Sequence, residues 1–371
     1  MTKAAELAKM GEVLTNSQIG GRRNIIINGG MNISQRATSA TGLGGNQSYS
    51  TVDRFRQNTA NTAGRFTMTQ TADGPSGFAN CMKLECTTAD TSIAAGEVGI
   101  IQYKIEGQDV QQIKKGTSDA EKITISFYVK GNANATYVCE LEDVDNTRNN
   151  TQAFNVTTSW TRVVLTFAAD TTGALDDNNA ESLTLNIWLH AGSTYSGGTF
   201  SSNTWASTTN ANRYAGSRTS FFDSTDRTFF LTGLQMEIGS QATPFEHRSF
   251  GEELQLCRRY LQYFDAHSNY DRFAIGTATT TDDCNFLFKF NPYMRDVPTL
   301  VHGTLSEIVV LDNDNSAEAI GSLSIDTNTD GPQGCNVEAS DITSDVMTAG
   351  DATQISANNT ANAFISFDAE L

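Results

Sequence analysis

Trp188 and His190 fall on the polar side of a strand-like run, and Tyr195, Phe200, Trp205 and Tyr214 follow in a stretch rich in Ser, Thr, Gly and Asn. Aromatic rings that stack on the C–H face of a sugar, beside Asn and Asp that hydrogen-bond its hydroxyls, make a glycan-binding surface. Trp188, His190, Tyr195, Trp205 and Tyr214 are therefore candidate glycan contacts, carried largely by an exposed loop at 191–218. The same composition also suits an excursion whose aromatics pack under the loop or against a neighbouring subunit, because exposed aromatics are commonly covered.

Other reactive chemistries find weaker footing. Asp312, Asn313, Asp314 and Asn315 offer the oxygens of a calcium site, but the surrounding stretch lacks the twelve-residue loop with its Gly and closing Glu. It reads as a polar turn. Asp176–Asp177 and Asp282–Asp283 are adjacent pairs whose side chains point apart, unlike the facing carboxylates of a glycosidase. His190, His247, His267 and His302 stand near no nucleophile signature. Cys81, Cys86, Cys139, Cys257, Cys284 and Cys335 form no C-x-x-C pair, which argues for free thiols in a chain folded in a reducing cytosol. The expectation is no catalytic residue, no metal and no cofactor. Asp53 with Arg54, and Glu246 near Arg248, read as structural pairs.

Composition bounds the partners. The formal net charge of −17 argues against nucleic acid and against an anionic membrane surface, since both demand a basic face. No run approaches the ~20 apolar residues of a membrane span, so no membrane insertion is expected. Met1 to Met10 has no apolar run of the signal-peptide kind.

The elements that must position the aromatics are mostly strands. A chain of 371 residues supports two cores, and abundant Thr, Ser, Asn and Gly favours short strands with polar turns. Ile123, Ile125, Phe127 and Val129 alternate with polar neighbours, as do Val163, Leu165 and Phe167, and Leu183, Leu185, Ile187 and Leu189. Residues 1–23 read as a short helix and polar connector. Leu7, Met10 and Leu14 recur there at helical spacing and need a partner, because so short a helix is marginal alone. Residues 24–248 form the first β-domain, and 249–371 a short helix and a smaller β-domain. Ser249 with Glu252 is a capping box. The helix it opens is expected to run to Phe264 and to be apolar on two sides: one side, with Tyr260 and Phe264, meets symmetry-related copies, or else both are buried between the two domains of one chain. The stretch 341–362 reads as loop.

Five motifs occur in order: N-G-G-M…Q-R…D-R-F over 28–55, ISFYVKG at 125–131, SWTRVVLTF at 159–167, LNIWLH at 185–190 and GLQMEIGSQATPFEHRS at 233–249. Over about residues 24–260 they resemble a domain common in bacteriophage tail-fibre and other virion appendage proteins, a jelly-roll sandwich similar to carbohydrate-binding modules. The M-R…P-T turn at 294–299 and the ending FISFDAEL also resemble fibre C-terminal regions. The resemblance implies a mainly β chain, with a jelly-roll β-sandwich, a short helix and a smaller C-terminal β-domain. It further implies a non-enzymatic tail-fibre subunit, made in the host bacterial cytoplasm and carried on the virion. Such a subunit is a homotrimer, attached to other tail or neck proteins through residues 1–23 and directed at a host surface glycan. A capsid or neck fibre of the same fold, and a tailspike-type polysaccharide depolymerase, are the competing readings.

Overall fold

The computed structural model describes residues 3–4, 23–326, 330–343 and 347–371. The expected N-terminal contacts Leu7, Met10 and Leu14 lie outside the described residues. The chain is mainly β and divides into two compact units, residues 1–250 with Leu371 and residues 251–370.

The first unit is a jelly-roll sandwich of two antiparallel sheets. One runs β1 (Ser39–Leu43), β4 (Arg65–Thr71), β5 (Cys81–Thr88), β13 (Thr228–Ile238), β7 (Ile123–Gly131), β10 (Thr161–Phe167). The other runs β12 (Ala206–Ser207), β9 (Arg148–Val156), β8 (Ala135–Asp143), β11 (Glu181–Ala191), β6 (Val98–Glu106), β3 (Arg56–Ala60), β2 (Gln47–Tyr49). Alternation decides which side chains meet: Ile123, Ile125, Phe127 and Val129 of β7 all turn inward and are at most 3% exposed. Phe127 meets Phe154 edge-on at 5.2 Å, and Tyr137 meets Phe229 at 5.7 Å, so aromatic pairs bridge the sheets. Each such buried ring contributes roughly 1.5–3 kcal/mol.

The D-R-F element lies inside this unit. Phe55 packs on Tyr103 at 5.4 Å, and the Arg54 guanidinium sits 5.3 Å over the same ring while donating to the Lys104 carbonyl at 2.8 Å. The opening and closing motifs meet as well. Glu246 accepts from the Asn24 amide at 2.8 Å, Asn24 Oδ1 accepts from Met236 N at 3.0 Å, and Arg248 donates to the Ile26 carbonyl at 3.1 Å. Residues more than 200 positions apart are thereby joined through buried polar groups that have partners.

In the second unit one sheet is β14 (Leu261–Asp265), β23 (Phe364–Asp368), β17 (Thr299–His302). The other is β19 (Ala317–Ala319), β18 (Ile308–Leu311), β22 (Ala352–Ala357), β15 (Arg272–Ala278), β16 (Cys284–Lys289), β21 (Gly334–Ser340), β20 (Ser322–Ile325). Two sequence expectations are corrected here. The stretch 341–362 contains β22, which pairs with both β15 and β18 despite its Ala- and Thr-rich composition. The helix Phe250–Arg258 stops well before Phe264, with Tyr260 N bonded to Cys257 O at 2.9 Å, and residues 261–265 form β14. The aromatic run Tyr-Leu-Gln-Tyr-Phe favours a strand, and β23 supplies its partner. Tyr260 is 1% exposed, and Phe264 packs on Phe288 and Phe367 at 5.5 and 6.0 Å. The apolar surface of Tyr260 is used inside its own unit, which leaves it none for the expected contact between copies, whereas Phe264 is half-buried.

Candidate functional site

Trp188 and His190 do lie on the polar face of β11, but that face is covered. Both are at most 1% exposed, because the excursion after β11 folds back over it. Trp188 donates from Nε1 to Glu140 Oε2 at 2.7 Å, stacks on Tyr214 at 6.1 Å and meets Tyr195 at 5.5 Å. Tyr214 is 3% exposed and donates its hydroxyl to the Thr219 carbonyl at 2.7 Å. Trp205 is half-buried and donates to the Ala168 carbonyl at 2.7 Å. The exposed aromatic platform is therefore corrected: Trp188, His190 and Tyr214 hold the excursion down, and Tyr195, half-buried, remains near the surface. Period-two alternation assigns residues to a face but does not say whether that face is wet.

The His190 ring bridges two partners, Ser220 Oγ at Nδ1 and Glu97 Oε2 at Nε2, each at 2.8 Å. The Glu97 carboxylate accepts from Nε2–H, so Nδ1 of the neutral ring accepts from the Ser220 hydroxyl, which itself accepts from Phe222 N at 3.0 Å. This resembles the order of a nucleophile–base–carboxylate set. Burial lowers the His190 pKa against the pull of Glu97, and the ring is sealed edge-on by Phe222 at 5.1 Å. We read it as a tie between β11 and the end of the excursion. At the 312–316 turn, Asp312 accepts from Ser316 N at 2.8 Å. Among the described residues no group of three or more His, Cys, Asp or Glu side chains is placed to hold a metal.

What the sheet brings together is a polar ladder that no linear motif announces. Register places Arg56, Gln102, Asn186 and Glu140 side by side across β3, β6, β11 and β8, and Gln47 of β2, opposite Asn58, reaches Arg56 diagonally. Arg56 donates to Gln47 and, at 3.3 Å, to Gln102 Oε1; Gln102 Nε2 donates to Asn186 Oδ1 at 2.9 Å. Asn186 Nδ2 then donates to Glu140 and Glu142 at 3.0 and 2.8 Å. Arg213, from the excursion, closes the row by donating to both carboxylates, with Nη2 to Glu140 at 2.7 Å, and its guanidinium lies 4.9 Å over Trp188. Lys104 pairs with Glu181 at 2.6 Å beside it.

The row grades from wet to dry. Gln47 is exposed, Arg56 half-buried, Gln102 8% exposed and Glu140 fully buried. Burial pushes the Glu142 carboxyl above its ordinary range against the pull of Arg213, and the charge on Glu140 adds to the rise. Planar amides, carboxylates and guanidinium groups in one row can donate to and accept from the hydroxyls of a sugar. The only sequence trace of it is the i, i+2 repeat of Glu140 and Glu142 about Leu141.

No family model matches the chain, and no curated protein matches it. Solved structures similar to part of it include the enzymatically active domain of tailspike protein 4 from bacteriophage CBA120, at 10% identity and a TM-score of 0.28, covering 58% of this chain and 21% of that one. A family 11 carbohydrate-binding module from Clostridium thermocellum, in complex with a mixed-linked tetrasaccharide, has 11% identity and a TM-score of 0.27 over 56% of this chain and 99% of that one. A xylan-binding CBM22-1 domain from Paenibacillus barcinonensis has 15% identity and a TM-score of 0.26, over 50% of this chain and 87% of that one. The architectural assignment rests on the chain's own sheets.

Proposed function

We propose that the chain is a non-enzymatic virion appendage protein of the tail-fibre kind, whose first unit recognises a glycan of the bacterial surface. The observation that carries the binding half is the ladder from Gln47 to Arg213, which offers hydrogen-bonding groups of both senses, four of them in register across β3, β6, β11 and β8. Tyr195 and Arg213 stand beside it, where a sugar ring can stack. The virion role rests on the order of the sequence motifs. The full chain, incubated with polysaccharides from host envelopes, is expected to retain one of them on an affinity gel and to release no reducing ends. Failure to retain any of them, with intact phage retaining one, removes this reading.

A second reading has a specific observation behind it. Glu140 and Glu142 share one face and one guanidinium, and a carboxyl raised by burial beside a second carboxyl is the pairing of a glycoside hydrolase. Arg213 and Asn186 occupy both carboxylates, so the binding reading is favoured. Reducing-end release that disappears in Glu142→Gln would reverse that order.

Trimer formation and attachment through residues 1–23 belong to the same proposal. Mass measurement of the full chain should give three copies, and a lone chain at micromolar concentration would remove the trimer. Deleting residues 1–20 should leave the circular-dichroism signal of the β units and abolish incorporation into particles.

A further inference from the structure

Lys115 is a nearly fully enclosed cation of the first unit, with a side chain 2% exposed. Four oxygens surround its Nζ: Asp143 Oδ2 at 2.5 Å, the Thr172 carbonyl at 2.7 Å, the Gly173 carbonyl at 2.9 Å and Asp170 Oδ2 at 3.1 Å. The Trp205 ring closes a further side at 5.2 Å. An ammonium has three N–H groups, so four oxygens exceed its hydrogen-bonding capacity. The four therefore share three N–H groups, crowded about one positive centre.

The oxygens are built into place. Asp143 accepts from the Asn146 amide at 3.0 Å, and Asp170 accepts a forked pair from Arg148 at 2.8 and 3.1 Å. Gly173 has φ +75°, and a Cβ there would lie 2.4 Å from Asn146 Cγ, so only glycine lets that loop bring its carbonyl in. Gly116, beside Lys115, has φ +83°, and its Cβ would lie 2.5 Å from Ala174 N.

Two carboxylates and two backbone carbonyls about one point are the donor set of a calcium ion, which takes 6–8 oxygens at about 2.3–2.6 Å, water among them. We propose that this is a calcium-type oxygen site whose cation is the chain's own Lys115 ammonium. The tethered charge joins the end of β8, the loop 168–175 and Trp205 of the excursion without dissolved metal. Removing the Lys115 side chain opens space for an ion and its waters, and converts the cage into a Ca²⁺ site of the weak class, with a Kd of about 10⁻⁴–10⁻³ M.

The test is thermal unfolding of the full chain in EDTA and in millimolar CaCl₂, with equilibrium dialysis of ⁴⁵Ca²⁺. Wild type should unfold at the same temperature in both buffers. Lys115→Ala should unfold lower in EDTA and regain at least about 3 °C in calcium, taking up one ion per chain, with Mg²⁺ far less effective. Adding Asp143→Asn should abolish the uptake, and Lys114→Ala, at an exposed pair with Glu121, should show no calcium response. A wild type destabilised by EDTA overturns the proposal, and so does a folded Lys115→Ala that ignores calcium. Failure of both Lys115→Ala and Lys115→Ser to fold in calcium also overturns it, since the ion is expected to supply what the ammonium supplied.

Discussion

Two cations in the sandwich each lie between two carboxylates, and they do so to different ends. Around Lys115 every oxygen comes from inside the fold, and both Asp143 and Asp170 are buried. Around Arg213 the row continues outward through Asn186 and Gln102 to Arg56 and Gln47, where the groups are open to water. A closed set of partners acts as a staple. An open-ended one leaves hydrogen-bonding groups for a ligand, because its outer members exchange readily with solvent.

The largest effect expected from breaking this contrast is at the closed cluster. Asp143→Ala leaves the Lys115 ammonium buried with one carboxylate fewer, and should cost about 3–5 kcal/mol in urea unfolding. Arg213→Met comes next. It leaves Glu140 and Glu142 facing each other, but a proton taken up by Glu142 relieves part of the repulsion, so the loss at neutral pH should be nearer 2–3 kcal/mol.

The pH dependence of the two clusters has opposite sign. Glu142 is raised above its ordinary 4.5, so the folded chain holds a proton that the unfolded chain releases. Its contribution to stability is fully present below that value and is lost as pH rises through the raised one; Arg213→Met should steepen this fall. Burial alone would raise Asp170, but its bonds from Arg148 and Lys115 outweigh that and hold it below 3.8. Its contribution is present above 3.8 and lost as pH falls through the lowered value. Urea unfolding across pH 3–8 in wild type and Arg213→Met separates the two. The smallest stability effect should be at the outer end of the row: Arg56→Ala should change stability by about 0.5 kcal/mol or less while weakening glycan retention at least tenfold.

Much of the scaffold was legible in the sequence. Alternation at 123–129 and 163–167 gave strands β7 and β10, and the motifs at 28–55 and 233–249 turned out to be residues that lock the sandwich. Those motifs therefore speak for architecture and say little about ligand. The candidate site was not legible, because its members come from five strands and an excursion and meet only through register. Trp188, His190 and Tyr214 have the chemistry of glycan contacts, yet burial is a tertiary fact: what covers the face is the loop the same sequence supplies. The helix over 252–264 stops short for a related reason, since an aromatic run with helical spacing finds a strand partner at the far end of the chain.

The central claim is that the open row on the seven-stranded sheet receives the glycan. Hydrogen–deuterium exchange of the full chain, with and without the envelope polysaccharide it retains, tests this directly. The account predicts slowed exchange in peptides covering 47–58, 98–106 and 181–191, lost in Arg56→Ala. Protection confined to 261–368, with these three segments unchanged, would contradict it.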